Sequence, residues 1–310
     1  MTLTARVLAA GLALLLGACA SGPAPTPSPA APRPPAAAPP PLLTPSGAIR
    51  APQIDRSHTS QNQDSRSLFI VLHYTVLDWE KSLKVLTTGG QVSSHYLVRD
   101  NPAISYALVD ENRRSWHAGA SFWGGHANLN SSSIGIEIVN AGYVDGPGGR
   151  VYAPFPQAQV DEVIALVRDI QLRHNVKPER IIGHADIAPG RKQDPGPNFP
   201  WKQLADAGLI PWPDGPLVTL KMLEHEVAPR DVAWLQERLA RIGYNVSRSG
   251  QMDALTQSVV STFQMKYRPR DISGMVDAET AALIDVAATP SAMRVSGAGE
   301  GETRPYTSRW

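Results

Sequence analysis

The chain contains 310 residues, with 29 Lys and Arg against 28 Asp and Glu, and 42% of its residues are hydrophobic. This length and composition suit one or two folded domains with tails, and they exclude a wholly disordered chain. The net charge of +1 provides no excess of basic side chains to neutralise phosphates, so we expect no nucleic-acid partner.

The N-terminus has the pattern of an export signal. Arg6 precedes an apolar stretch over 7–16, which is about the length of a secretory signal core and shorter than the roughly 20 residues of a membrane-spanning helix. The motif LGAC at 16–19 holds the only cysteine of the chain. It resembles the bacterial lipobox, although its second residue is Gly rather than the commoner Ala or Ser.

The lipobox resemblance implies a lipoprotein signal peptide over 1–18, with Cys19 lipidated and anchored in a membrane. We therefore expect an exported lipoprotein, on the periplasmic face of the outer membrane if the cell is Gram-negative. The alternatives are an ordinary cleaved signal peptide and a chance apolar start.

Residues 19–52 are rich in Pro and Ala and carry almost no charge, which favours an extended, polyproline-like tether. At roughly 3.1 Å per residue, such a tether could reach about 100 Å. A reach of this size suits a domain that searches a large, immobile substrate.

Short apolar runs predict five strands in a first folded domain, at 68–72, 96–98, 105–109, 134–139 and 181–182. His73 comes directly after the first run, and Gly183-His184 follows the last. Two histidines are therefore expected at the C-terminal ends of two apolar strands. The fourth run carries Glu137 in a buried strand, where a carboxylate needs a specific reason to be present.

Two helices are predicted in the same domain. Residues 79–86 have a helical pattern that ends before Gly89-Gly90. Residues 157–174 carry a regular apolar stripe, entered through Pro156 and left through Asn175.

A Pro- and Gly-rich loop, ADIAPGRKQDPGPNFPW, follows His184 and carries Lys192 and Asp194. Catalytic zinc takes three ligands of the His and carboxylate type and leaves a fourth position for water. His73, His184 and Asp194 fit this set. On spacing alone, His95 and His117 compete as ligands, and a purely structural hydrogen-bonding role for each histidine stays open.

Five segments in this order over residues 50–212, VLHYT, SSHYLV, SWHAG, NLNSSSIGIEIVN and the loop segment beginning IIGHADIAPG, resemble the N-acetylmuramoyl-L-alanine amidase type 2 family. The resemblance implies an α/β fold for residues 53–212, with a central mixed β-sheet flanked by helices. It also implies a zinc hydrolase that cuts the amide between N-acetylmuramic acid and the L-alanine of the stem peptide, in peptidoglycan or muropeptides.

The resemblance also assigns roles to residues. It implies one Zn²⁺ per catalytic domain, held by His73, His184 and Asp194, with Glu137 and Lys192 as catalytic residues. Without the resemblance, a salt bridge from Glu137 to Arg191 or Lys192 would explain the buried carboxylate equally well.

The roles of three further residues stay open. His117 is expected to contact the substrate in the groove, with packing as an equal alternative. Trp116 and Trp123 could offer an aromatic surface to sugar or belong to the core.

The C-terminal part is predicted to be helical after a linker at 211–216. A G-x-x-D-A-x-T motif begins at Gly250 and again at Gly274, and its aspartates are expected to cap helix starts. Together with LQERLARIGY and VVSTFQMKY, this repeat resembles the peptidoglycan-binding type 1 domain. The resemblance implies a small all-α, three-helix domain over 221–288, with a non-binding helical cap as the alternative, and residues 289–310 are expected to be a disordered tail.

Two functions follow from these resemblances. The first is a zinc amidase tethered to a membrane and acting on peptidoglycan. The second is a non-catalytic sensor of the same fold that binds muropeptides without cutting them. Such relatives typically lack the third metal ligand, so the presence of Asp194 with Glu137 and Lys192 favours the enzyme.

Overall fold

The computed structural model describes residues 51–297 and 303–307. The chain divides into two compact units, Met1–Ser60 and Gln61–Trp310. In the first unit, the described residues 51–60 contain no helix or strand. The predicted signal peptide, Cys19 and the predicted tether up to residue 50 lie outside the described residues. No helix in the described ranges is both long and apolar enough to cross a bilayer.

The described strands are, in chain order, β1 (Phe69–Tyr74), β2 (Tyr96–Val98), β3 (Ser105–Ala107), β4 (Phe122–Trp123), β5 (His126–Ala127), β6 (Ser133–Ile138), β7 (Tyr143–Gly146), β8 (Gly149–Tyr152), β9 (Ile181–Gly183), β10 (Trp212–Pro213), β11 (Met293–Ser296) and β12 (Thr303–Pro305). The helices are α1 (Trp79–Thr88), α2 (Gln157–His174), α3 (His184–Ile187), α4 (Trp201–Asp206), α5 (Gly215–Val227), α6 (Val232–Ile242), α7 (Ala254–Tyr267) and α8 (Ala278–Ala287).

A five-stranded mixed sheet in the order β3-β2-β6-β1-β9 forms the centre of the second unit. Strands β2, β6, β1 and β9 run parallel, and β3 is an antiparallel edge strand. The structure therefore confirms the expected α/β fold. The five predicted strands are present, although the third ends at Ala107 rather than at residue 109.

The two faces of this sheet differ in chemistry because side chains alternate along each strand. On β6, Ile134, Ile136 and Ile138 point into one core, where they meet the apolar stripe of α2. The opposite face of β6 carries Ser133, Gly135 and Glu137 in alternate positions. This second face is the one that carries the polar groups described below.

Helix α2 has the predicted bounds, Gln157–His174, and buries Val160, Val163, Val167 and Ile170. Helix α1 begins at the predicted residue and continues two residues beyond the predicted end. Its first turn is capped by Asp78, whose side chain accepts a hydrogen bond from the Lys81 backbone N–H.

The C-terminal repeat is a repeat of helix starts, as predicted. Asp253 caps α7 by accepting from the Thr256 N–H, and Asp277 caps α8 by accepting from the Thr280 N–H. Helices α6, α7 and α8 form the expected three-helix region, and α5 precedes them and packs on α8.

Each repeated turn is also held by a buried glutamine. The Gln236 side-chain amide accepts from Gly250 N–H at 2.8 Å and donates to Thr256 Oγ1 at 3.0 Å. Gln264 does the same with Gly274 N–H at 2.8 Å and Thr280 Oγ1 at 3.2 Å. The repeated Gly and Thr of each copy therefore both form hydrogen bonds with the same glutamine.

Two sequence expectations about the C-terminal region were wrong. The predicted linker at 211–216 contains β10 and the start of α5. The predicted disordered tail, 289–310, contains β11 and β12, of which β11 pairs with β10. The described part of this tail is ordered because Met293, Val295 and Tyr306 bury their side chains in a small core next to α8.

The helical region and the amidase sheet share one hydrophobic core. Phe69 and Val71 of β1 and Ile182 of β9 lie in the same buried cluster as Leu239, Phe263 and other residues of the helices. The C-terminal helices are therefore packed against the face of the sheet that carries the polar groups.

Candidate metal centre and its groove

Three potential metal ligands meet at the C-terminal edge of the parallel strands. His73 is the fifth residue of β1 and lies opposite Glu137 in the register of β6. His184 is the first residue after β9, which flanks β1 on its other side. Asp194 enters from the following loop, where its backbone carbonyl accepts a hydrogen bond from Ala185 N–H at 2.8 Å.

The ligand atoms of these three residues form a small triangle. His73 Nδ1 lies 2.9 Å from His184 Nδ1, and Asp194 Oδ2 lies 3.0 Å from each nitrogen. All three residues are buried. Three lone-pair atoms at this spacing repel each other unless a proton or cation lies among them, and two imidazoles with one carboxylate suit zinc.

The protonation states fit a cation site. Burial and the neighbouring His184 lower the pKa of His73 to about 4, against the opposing effect of Asp194. Burial alone would raise the pKa of Asp194, but its contacts with His184 and His73 hold it well below the ordinary value. At neutral pH the centre therefore offers a neutral imidazole at His73 and a carboxylate at Asp194.

Glu137 lies beside this triangle with its side chain 16% exposed, and its Oε1 is 4.0 Å from His73 Nδ1. Its Oε2 is buried and has no hydrogen-bond partner among the described residues. Burial and the charge of Asp194 raise the pKa of Glu137 well above its ordinary value, and Lys192 opposes this rise. A carboxyl with a raised pKa and a free oxygen can both take and return a proton near neutral pH.

The alternative salt bridge from Glu137 to Arg191 or Lys192 is not formed within the described part of the chain. Arg191 Nη2 donates instead to the carbonyls of Ala118 and Ala120, at 2.9 and 2.7 Å. Lys192 is half-buried on the wall of the groove and affects Glu137 through its charge.

A groove of about 360 Å³ opens over the metal triangle. Its wall includes Glu137, Lys192 and the apolar or aromatic side chains of Tyr74, Val76, Val85, Val92 and Trp116. Val76 has φ 50°, which is unusual for a β-branched residue. Gly142 makes this conformation possible, because a Cβ there would lie 2.5 Å from Val76 Cγ1. The place of Val76 in the groove was not predicted from the sequence.

His117 borders the groove but is 7% exposed, and both of its ring nitrogens are engaged. Nδ1 lies 2.9 Å from His73 Nε2, and Nε2 lies 3.1 Å from Ser133 Oγ. Neither nitrogen is left for the substrate contact expected from the sequence.

The other open alternatives are resolved by position. His95 Nδ1 meets Ser115 Oγ at 2.7 Å and its Nε2 meets the Arg113 carbonyl at 3.0 Å, so it is a structural residue and not part of the triangle. Trp123 is buried against Tyr244, with ring centroids 4.8 Å apart. Trp116 is 50% exposed on the groove, beneath the guanidinium of Arg114.

Two protein families match the chain, one in the part that contains the mixed sheet and one in the helical part. Residues 63–197 match the family described as N-acetylmuramoyl-L-alanine amidase. Residues 229–284, which contain α6 to α8, match the family described as a putative peptidoglycan binding domain.

Among curated proteins, the chain is 42% identical over 241 residues to N-acetylmuramoyl-L-alanine amidase AmiD of Escherichia coli K12, a match that covers 75% of this chain and 86% of that protein. It is 36% identical over 106 residues to 1,6-anhydro-N-acetylmuramyl-L-alanine amidase AmpD of Enterobacter cloacae, covering 34% of this chain and 51% of AmpD.

Two solved structures resemble most of the chain. One is E. coli AmiD in complex with the substrate anhydro-N-acetylmuramic acid-L-Ala-D-γ-Glu-L-Lys, with a TM-score of 0.68, 40% identity and coverage of 78% of this chain and 95% of that one. The other is AmpDh3 from Pseudomonas aeruginosa in complex with anhydromuramic pentapeptide, with a TM-score of 0.70, 37% identity and coverage of 75% and 96%.

Proposed function

The chain belongs to the N-acetylmuramoyl-L-alanine amidase family, and from that premise we propose a zinc-dependent hydrolase of the amide between the lactyl group of N-acetylmuramic acid and the L-alanine of the stem peptide. The observation that carries the proposal is the triangle of His73 Nδ1, His184 Nδ1 and Asp194 Oδ2 at the floor of a groove. Zinc held there would lower the pKa of a water to about 7 and polarise the amide carbonyl.

Glu137 moves the proton in this reaction. Its carboxylate takes a proton from the attacking water as the new C–O bond forms at the amide carbon. It then gives this proton to the amide nitrogen, so that the C–N bond breaks and L-alanine leaves as an amine. The open Oε2 and the raised pKa suit a group that must act first as base and then as acid.

Lys192 contributes positive charge on the same wall of the groove. As the carbonyl carbon becomes tetrahedral, negative charge grows on its oxygen, and a fixed cation in a partly water-free groove stabilises that charge. Lys192 also opposes the rise in the pKa of Glu137, which favours the ionised carboxylate that acts as the base.

The substrate class follows from the relatives and the groove. AmiD and AmpDh3 are solved with anhydromuramyl peptides, and the apolar groove wall offers this chain a surface for a sugar and a short peptide. We place the catalytic domain at 53–212 and assign residues 221–288 to peptidoglycan binding, with Cys19 as a lipid anchor in the cell envelope.

The test is incubation of the purified protein with muropeptides of known structure, with and without a chelator, with the products read by mass spectrometry. We expect a peptide beginning at L-alanine together with a peptide-free muramyl sugar, lost with chelator and restored by Zn²⁺. Glu137→Gln is the matched control, since it should bind metal without cutting. A metal-replete wild-type protein that binds muropeptides and leaves them intact would establish the sensor instead.

A further inference from the structure

We infer that His117 is a positioning residue for the metal centre, which holds His73 in the orientation and tautomer that a metal requires. The inference rests on the metal site of the proposed function. In this inference His117 contacts the metal ligand His73, whereas its motif led us to expect a contact with the substrate.

His73 uses both sides of its ring. Its Nδ1 faces His184 and Asp194, and its Nε2 lies 2.9 Å from His117 Nδ1. An imidazole that binds a metal through Nδ1 must carry its hydrogen on Nε2 and usually donates it to an oxygen acceptor. Here the acceptor is the Nδ1 of a second imidazole, and both rings are buried.

Contacts run from His73 through His117 and Ser133 to the Leu129 carbonyl, and the carbonyl fixes the direction of each hydrogen bond. Ser133 Oγ donates its hydrogen to the Leu129 carbonyl at 2.6 Å, and a carbonyl can only accept. Ser133 Oγ must therefore accept from His117 Nε2–H at 3.1 Å. His117 Nδ1 is then left with a lone pair, which can only accept from His73 Nε2–H.

This order leaves a single arrangement in which the three contacts from His73 Nε2 through His117 and Ser133 to the Leu129 carbonyl are all hydrogen bonds. In that arrangement the free lone pair of His73 is on Nδ1 and points at His184 and Asp194.

The His117 ring is seated over a residue that has no side chain. A Cβ on Gly135 would lie 2.4 Å from His117 Cγ and 2.6 Å from Cδ2 and Nδ1. The backbone on the other side is fixed by Asn130, whose Oδ1 accepts from His117 N–H at 3.0 Å and from Ala118 N–H at 2.7 Å. The ring can neither move toward the sheet nor turn without losing these contacts.

The experiment compares Zn²⁺ affinity, measured by competition with a chromophoric chelator, in wild type, His117→Phe and His117→Asn. We expect His117→Phe to weaken Zn²⁺ binding about 10- to 100-fold, the usual effect of removing such a partner. Asn places an oxygen acceptor near the position of Nδ1, so His117→Asn should restore much of the lost affinity. His225→Phe, which alters a buried histidine of the helical region, is the control and should bind Zn²⁺ like wild type.

A second measurement reads the tautomer directly. In metal-free wild type, nitrogen-15 shifts of His73 should report a hydrogen on Nε2, and this preference should be lost in His117→Phe. If His117→Phe does not fold, Ser133→Ala provides the same test, because it removes the acceptor of His117 Nε2–H.

The outcomes separate the two proposals. A wild-type protein that binds no Zn²⁺ would contradict the proposed function. A wild type that binds Zn²⁺, together with a folded His117→Phe of equal affinity and unchanged tautomer, would overturn only the role of His117.

Discussion

Glu137 differs from Asp194, the other carboxylate at the metal centre, because its Oε2 has no partner within the described residues. Asp194 Oδ2, by contrast, meets both ligand histidines at 3.0 Å. In the proposed mechanism, Asp194 would therefore bind the metal and Glu137 would transfer the proton. Removing each one should have a different effect.

Glu137→Gln should retain Zn²⁺ and lose about 10²- to 10⁴-fold in kcat, the usual contribution of a general acid–base residue. Metal content by atomic emission and turnover of a muropeptide, measured on the same sample, check this. Asp194→Ala is the contrasting control and should lose both metal and activity. A Glu137→Gln enzyme within tenfold of wild type would show that another group carries the proton.

The residues of the metal centre were largely predictable because each one sits next to a strong local signal. His73 lies near the end of the short apolar strand β1, His184 follows the short apolar strand β9, and Asp194 lies in a loop rich in Pro and Gly. The role of His117 was not predictable from its local pattern, since its partner His73 is 44 residues away in sequence. The importance of Gly135 was not predictable either, because its lack of a side chain matters only when the His117 ring lies over it.

Among the helices, α2 was predicted with its full bounds because the whole signal is local. An apolar stripe of helical period runs from a proline at the start to Asn175, which ends the helix in the left-handed conformation at φ 53°. The glutamines that hold the repeated turns were missed, because a glutamine in a helix ordinarily indicates a solvent-exposed position. Their burial depends on turns 14 and 10 residues further along the chain.

The C-terminal end of α2 is held to the edge of the sheet by a charged cluster around Glu111. Its carboxylate accepts from Tyr96 OH at 2.7 Å, faces His174 Nε2 at 2.8 Å and forms a two-pronged contact with Arg173. Burial alone would raise the pKa of Glu111, but these contacts outweigh it and lower the pKa to about 2.

Glu111→Gln should therefore lower the free energy of unfolding by about 1–3 kcal/mol near neutral pH. A depressed carboxyl pKa stabilises the fold above the unfolded value, and that stability is lost as pH falls toward 2. Urea unfolding at about pH 7 and about pH 3 should thus show the difference between variant and wild type shrinking in acid. Asp169→Asn, which removes only an exposed partner of Arg173, should change little; an equal loss there would contradict the assignment.

On the scale of the whole molecule, one buried ion pair crosses from the helical region to the amidase. Lys266 of α7 lies with Nζ 3.6 Å from Asp186 Oδ2 and 4.2 Å from the ring centre of Trp201. Asp186 also accepts from Tyr244 OH and from Gly183 N–H, each at 2.8 Å. Since His184 lies between Gly183 and Asp186, these contacts fix the turn that carries a metal ligand.

Lys266→Met should cost about 3–5 kcal/mol, because it leaves the Asp186 charge buried without its cation. The unfolding temperature should fall for the amidase and the helices together, as expected for regions that share a core. Lys202→Met, which removes an exposed lysine paired with Asp206, should have an effect below about 0.5 kcal/mol. If the double variant Lys266→Met with Asp186→Asn were no more stable than Lys266→Met alone, the pairing would be the wrong explanation.

Cys19→Ala should release the protein from membranes, because the proposed lipid anchor depends on that thiol. Fractionation of cells expressing wild type and variant checks this, with the Cys19→Ala protein expected in the soluble envelope fraction. Continued recovery of the variant with membranes would count against lipidation.

The pairing of β10 with β11 has one further consequence. Trp212 lies opposite Arg294 and Pro213 lies opposite Met293, so the peptide enters and leaves the four-helix segment at adjacent points. Segments whose ends adjoin can be exchanged between proteins by insertion at a single surface turn, without long connecting peptides. Removal of the helices between residues 214 and 292 would therefore leave two adjoining chain ends, and it would at the same time expose the core that these helices share with the sheet.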